Sequence, residues 1–390
     1  MPRRTAPRRP SRPAPAARPG ARWPARRPGW PAVGVAAVVA VGLGVGAWRL
    51  AADDPARLRA RAEAAEAAGD WPSARDAWRS LNRTPAARGR TWLAEARACL
   101  AIDLAAQAEA ALARACRADP ADPEPWRLRL DILRTEGRTT EALRVGWEAY
   151  GAVGPGARRP ILRELTLALL LPGDALDDLP DDRSRARVDR WAAADPGDAD
   201  AAVARRRRAA AMPRPGEADL AGWIATLDGL LGRDPGRAAA REALVVALTE
   251  AGEPERARSA LDAWPEADRD GRYHRLDARW QLDQARRPDL AAAAVARALA
   301  DLPHDWRARS LLARAERALG RADLAAREAA RVDALRERLD PSALVPRLAA
   351  DLARPDDPSA RLDLADLCAF AGLDRLAVAW RREADAAPIR

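Results

Sequence analysis

Lysine is missing from this 390-residue chain, so all 66 basic side chains are arginine. Histidine occurs only twice, as His274 and His304, cysteine three times, tyrosine twice and phenylalanine once. These scarcities exclude whole classes of chemistry. A small, odd cysteine count argues against a disulfide framework, and no CxxC pair is present. Neither histidine sits in an HExxH pattern, and the chain has no P-loop and no GxSxG elbow. No catalytic, cofactor or metal residue is therefore expected, and the chain is read as a non-enzyme. The shortage of aromatics, with alanine at about a quarter of the residues, fits closely packed helices better than a β fold. Alanine has the highest helix propensity and lets neighbouring backbones approach. The exclusive use of arginine reads as a GC-rich coding bias before it reads as function.

Acidic residues are missing from one end only. The first 50 residues hold 10 of the arginines and no acid, leaving 56 basic against 57 acidic residues elsewhere, a net of −1. The isoelectric point near 10.7 thus belongs to one arm. Residues 1–30, rich in proline and arginine and without apolar periodicity, are expected to form a disordered tail. No charge occurs from Trp30 to Trp48. About 19 helical residues span roughly 28 Å, close to the hydrocarbon thickness of a bilayer, and tryptophan at both ends suits the interfacial belts. Residues 31–48 are therefore expected to be a transmembrane anchor. Nine arginines precede it and only Arg49 follows closely, which puts the N-terminus in the cytoplasm and the remainder in the periplasm or outside the cell. Gly42 and Gly46 form a GxxxG pair able to seat a homodimer. A cleaved signal peptide on a secreted protein is the rival, although Leu50, Ala51 and Ala52 after Arg49 offer no good small-x-small site.

Beyond the anchor, matching residues recur every 34 positions. Leu58, Trp92 and Trp126 make one column, Ala62, Ala96 and Leu130 a second, and Ala74, Ala108 and Ala142 a third, while Gly69 and Gly137 lie two periods apart. A later array repeats the step in Ala257, Ala291 and Ala325, in Leu261, Val295 and Ala329, and in Gly252 and Gly320. Pro120, Pro235 and Pro303 close the second helices of their blocks. This pattern resembles the tetratricopeptide repeat (TPR) family. The resemblance implies an all-α fold, an α-solenoid of helical hairpins, in which bulky residues fill the space between hairpins, small ones let helices touch, and glycine relieves the turn. Asp103 at a turn glycine, Cys99 at a large-residue position and Gly146 at a second-helix aromatic position depart from it. The expected organisation is a first array over 51–154, an irregular or degenerate helical linker over 155–203, a second array over 204–340 and a C-terminal helical hairpin over 341–390.

In proteins of this family the first helices of successive hairpins line a concave groove that holds a protein or peptide. Carried over by register, the groove positions of the second array are Glu242 and Val246, then Tyr273, Leu276 and Trp280, then Arg307, Arg314 and Arg317. Tyr273, Leu276 and Trp280 fall at i, i+3 and i+7 on one helical face. Beside three arginines, such a stripe suits a peptide carrying acidic groups; it also suits ordinary core between hairpins. The corresponding first-array positions, Arg59, Glu63, Glu66, Arg90, Arg97, Arg127, Asp131 and Arg134, mix both signs and read equally as surface ion pairs. The expected function is that of a membrane-tethered scaffold or adaptor, and the resemblance extends to membrane-tethered proteins of envelope assembly. Rival readings are binding of anionic lipid or nucleic acid by the arginine-rich tail, with nucleic acid the second choice, and an enzyme with an unrecognised site.

Overall fold

Aspartate followed by proline starts helix after helix in this chain. Asp54, Asp122, Asp340 and Asp357 each accept a hydrogen bond at 2.9–3.1 Å from the backbone N–H two residues on, with proline at the intervening position. The carboxylate satisfies a donor that lacks a helical partner, and proline has no such donor to lose.

A computed structural model describes residues 54–171, 184–209 and 217–386, all within one unit, Asp53–Arg390. The described residues form nineteen α-helices and no strand. The first hairpins are α1 (Pro55–Ala67) with α2 (Trp71–Leu81), α3 (Gly89–Ala101) with α4 (Ala105–Ala118), and α5 (Pro123–Thr135) with α6 (Thr139–Ala152). Then come α7 (Arg158–Leu170), α8 (Ser184–Ala194), α9 (Ala199–Ala209) and α10 (Glu217–Arg233). Hairpins resume as α11 (Ala238–Glu250) with α12 (Pro254–Asp262), α13 (Gly271–Asp283) with α14 (Pro288–Asp301), and α15 (Trp306–Ala318) with α16 (Ala322–Arg338). The last helices are α17 (Pro341–Leu352), α18 (Pro358–Ala371) and α19 (Asp374–Asp385). The basic tail, the apolar segment 31–48 and the Gly42–Gly46 pair lie outside the described residues. Among the described residues, no helix is long and apolar enough to cross a membrane.

In both arrays each hairpin turns on one residue with positive φ, and within an array that residue comes every 34 positions. Gly69, Asp103 and Gly137 have φ of 71°, 60° and 68°; Gly252, Arg286 and Gly320 have 74°, 56° and 76°. The helix end is then wrapped by an N–H that reaches back five residues, as from Asp70 to Ala65, Leu104 to Cys99 and Arg321 to Glu316, each at 2.9 Å. Glycine meets this geometry without steric cost. Between turns, the small-residue columns do the packing: Ala62, Ala74, Ala96, Ala108 and Ala142 are fully buried. The three cysteines are free and buried, and burial raises their thiols to about 11 for Cys99 and about 12 for Cys116 and Cys368.

The stretch read as a degenerate linker holds α7 and α8, and both pack on distant parts of the chain. Ile161, Leu165 and Leu169 of α7 share one core with Trp126 and Leu130 of α5 and with Leu348, Leu364 and Trp380 near the C-terminus. Within that core, Trp380 Nε1 donates to Thr166 Oγ1 at 2.9 Å, and the hydroxyl donates to the Leu162 carbonyl at 2.7 Å. Helix α8 returns to the first array. Val188 and Trp191 pack with Leu112 and Ile132, and Arg190 and Arg187 reach Asp103 at 3.1 Å and Asp131 at 2.6 Å.

Candidate protein-binding groove

Three helices at a 34-residue step, α11, α13 and α15, carry the predicted groove residues. Asp270 and Asp305 set the starts of α13 and α15, accepting from Arg272 N and from Arg307 N, each at 3.0 Å. Val246, Trp280 and Arg314 therefore occupy equivalent places on successive first helices.

The structure divides the predicted stripe in two. Tyr273 and Leu276 are each only 7% exposed and belong to the core of α9 to α13, where the Tyr273 ring meets Trp264 edge-on at 5.7 Å. Val246 is partly buried against the same core. Burial is the physical reason that Tyr273 offers no open face, since neighbouring helices already cover it, and that Leu276 shows only a small edge. Trp280 differs. It is partly buried, has the Arg258 guanidinium 4.9 Å from its ring centre, and lines a recess of about 70 Å³ with Val245, Leu261 and Leu276. Its indole N–H has no hydrogen-bond partner. On the next first helix, Arg307 is exposed and lies 4.7 Å from the Trp306 ring centre, Arg314 pairs with Asp283 at 2.5 Å, and Arg317 is exposed.

Glu242, expected on the groove, is instead buried between arginines from two other helices. Arg207 reaches it at 2.5 Å and Arg275 at 2.8 Å, and Arg275 goes on to Asp305 at 2.8 Å. Burial opposes ionisation of Glu242, but Arg207, Arg275 and Arg272 outweigh it and hold the carboxyl below its ordinary range. Several first-array positions are similarly engaged. Glu66 accepts from Trp78 Nε1 at 2.7 Å, Arg97 pairs with Glu124 at 2.5 Å, and Asp131 binds both Arg134 and Arg187 at 2.6 Å.

One ionic cluster had no signal in the linear pattern. Arg138, just after the α5–α6 turn, meets Glu109 at 2.6 Å, Glu136 at 2.9 Å, Glu141 at 2.6 Å and Asp200 at 3.4 Å. Burial works against the Arg138 charge, yet Asp200 and Glu136 lead four carboxylates that hold its pKa well above the ordinary value. Burial pushes Glu136 well above its own. Arg237 also binds Asp200, at 2.7 Å, so the cluster ties α4, α6 and α9 to the start of α11. Its members come from helices far apart in sequence. Such a network fixes register between helices rather than presenting a surface. Among the described residues, no group of three or more His, Cys, Asp or Glu is placed to hold a metal ion.

A family model agrees with this repeat pattern over part of the chain. Residues 214–279, which cover α10 to most of α13, match the tetratricopeptide repeat family model. No curated protein matches the chain. Similar solved structures include a tetratricopeptide repeat protein from Parabacteroides merdae, 12% identical, covering 67% of this chain and 98% of that one with a TM-score of 0.29. Another is the APC/C hetero-tetramer Cut9–Hcn1, 13% identical, covering 80% of this chain and 59% of that one with a TM-score of 0.37. A tetratricopeptide repeat protein from Thermus thermophilus is 18% identical, covering 59% and 98%, with a TM-score of 0.22.

Proposed function

We propose that this chain, which carries tetratricopeptide repeats, is a membrane-tethered scaffold that gathers protein partners by holding acidic peptide segments along α11, α13 and α15. Trp280 is the observation that carries the reading. A partly buried tryptophan that lines a recess is a suitable anchor for a partner side chain. The exposed guanidiniums of Arg307 and Arg317 supply the charge that an acidic segment needs. Tethering rests on the uncharged run 31–48, and the arginine bias before it puts the repeats on the periplasmic or extracellular side. Envelope protein assembly is the setting that this arrangement fits by analogy with other tethered repeat proteins.

The test is to crosslink intact cells, solubilise the tagged full-length chain, and identify co-purifying proteins for wild type and Trp280→Ala. The expected result is a specific partner lost in the variant while helicity persists. A fall in melting temperature large enough to unfold the variant would assign Trp280 to the core alone. A second reading has one observation in its favour: nine arginines and no acid in residues 1–30 suit anionic lipid headgroups beside the anchor.

A further inference from the structure

Between α7 and the C-terminal helices α17, α18 and α19 lies a cavity of about 220 Å³ whose lining carries charges of both signs. Most of these charges are already engaged. Arg159 holds Glu383 and Asp356, each at 3.1 Å. Arg354 holds Asp351 at 3.1 Å and Asp357 at 2.9 Å. Glu164 has Arg134 at 3.4 Å. Arg361 is buried, and its Nε and Nη1 donate to the carbonyls of Pro355 and Glu383. Each carboxylate on the lining thus has an arginine of its own.

Two guanidiniums are left over. Arg127 of α5 and Arg163 of α7 border the same cavity, both are exposed, and neither has a hydrogen bond or ion pair to another described residue. Both act on one carboxyl: burial raises Glu164 above its ordinary range, against the pull of Arg134 first and then of Arg163 and Arg127. The rest of the lining is apolar. Pro160, Leu352 and Pro355 keep accessible surface, while Leu364 and Trp380 are buried.

Uncompensated positive charge beside apolar surface selects an anion with an apolar body. A hydrated inorganic ion leaves the apolar surface wet, and a neutral ring leaves both guanidiniums without a partner. We propose that this cavity binds a small organic monocarboxylate, its carboxylate paired with Arg127 and Arg163 and its apolar body laid against Pro160, Leu352 and Pro355. The guanidinium fork matches carboxylate geometry, and the carboxylate oxygens have lone pairs enough for both forks. Cavities of roughly 150 Å³ already hold benzene, so this one takes a body of about six to eight carbons. The site lies on other helices than the stripe of α11, α13 and α15, and its ligand is a free small molecule rather than a peptide.

The test is calorimetric titration of the full-length chain in nonionic detergent with benzoate and hexanoate, and with two controls. Benzyl alcohol keeps the ring and lacks the charge, and inorganic phosphate keeps the charge and lacks the apolar body. The expected result is that benzoate or hexanoate binds at millimolar concentration or below and that both controls bind about tenfold more weakly or worse. Arg127→Gln with Arg163→Gln weakens carboxylate binding about tenfold or more with melting retained, since both side chains are exposed. Arg163→Gln alone decides where the pair lowers melting. Three outcomes overturn the proposal: neither carboxylate binds, either control binds as tightly as the better carboxylate, or the folded variant binds unchanged.

Discussion

At the scale of the residue, a single backbone angle decides where each hairpin turns. Glycine fills four of the six equivalent turn positions of the two arrays, and Asp103 and Arg286 fill the other two at φ of 60° and 56°. A side chain in that region costs about 1–2 kcal/mol. Arg286 is exposed, so nothing on the surface offsets the strain. Arg286→Gly is expected to raise stability by about 1 kcal/mol, read as a higher denaturation midpoint at unchanged slope; an unchanged midpoint would mean that the turn is relaxed. Asp103→Gly is not equivalent, because aspartate tolerates this region better and its carboxylate holds Arg190. The turn positions were legible because the chain repeats them, and Asp103 stood out as an exception to a spacing. The sequence left Tyr273 and Leu276 open between groove and core. Their shared face follows from helical period alone, whereas their burial depends on Trp264 and the helices that pack over them.

At the scale of the element, α7 shows how far helix packing departs from linear order. Its apolar run marks a helix in the sequence, but its partners lie as far off as Trp380, which no period connects to it. Gly146 has the same explanation. It reads as a gap in the repeat pattern, and the structure fills the gap with Leu165 of α7, whose Cδ2 would lie 2.3 Å from a Cβ on that glycine. A second long-range contact joins α7 to the loop before α15, where His304 Nε2 donates to the Leu169 carbonyl at 2.7 Å. Burial depresses the His304 pKa below 6.5, against the pull of that carbonyl and of Asp305. The unfolded chain then binds more protons than the folded one between the folded pKa and 6.5, so this contribution to stability is lost as pH falls through that window. Melting temperature followed from pH 8 to pH 5 is expected to fall less in His304→Gln than in wild type. Equal slopes would show that the ring does not titrate against folding. His274 shifts in the same direction, so the single variant removes part of the slope and leaves the rest.

At the scale of the whole molecule, charge is spent unevenly. The body beyond residue 50 is nearly balanced, and many of its charged side chains are paired inside or between hairpins, as around Arg138 and Glu242. Pairs of that kind fix helices to one another and leave little field for a partner. The all-helical class was legible from alanine content and the 34-residue step, because both are local properties repeated many times. The cavity beside α7 was not, since Arg159, Asp351 and Arg361 meet only after the C-terminal helices dock. The exposed arginines of α15 are a different case, charged and free of the core. Reversing them by Arg307→Glu with Arg317→Glu is expected to leave stability within about 0.5 kcal/mol, as for most surface changes. Quantitative partner capture from crosslinked cells, compared between wild type and this double variant at matched melting temperature, tests the scaffold account most directly. The account predicts that capture of the specific partner falls about tenfold or more; undiminished capture by a stably folded double variant would contradict it.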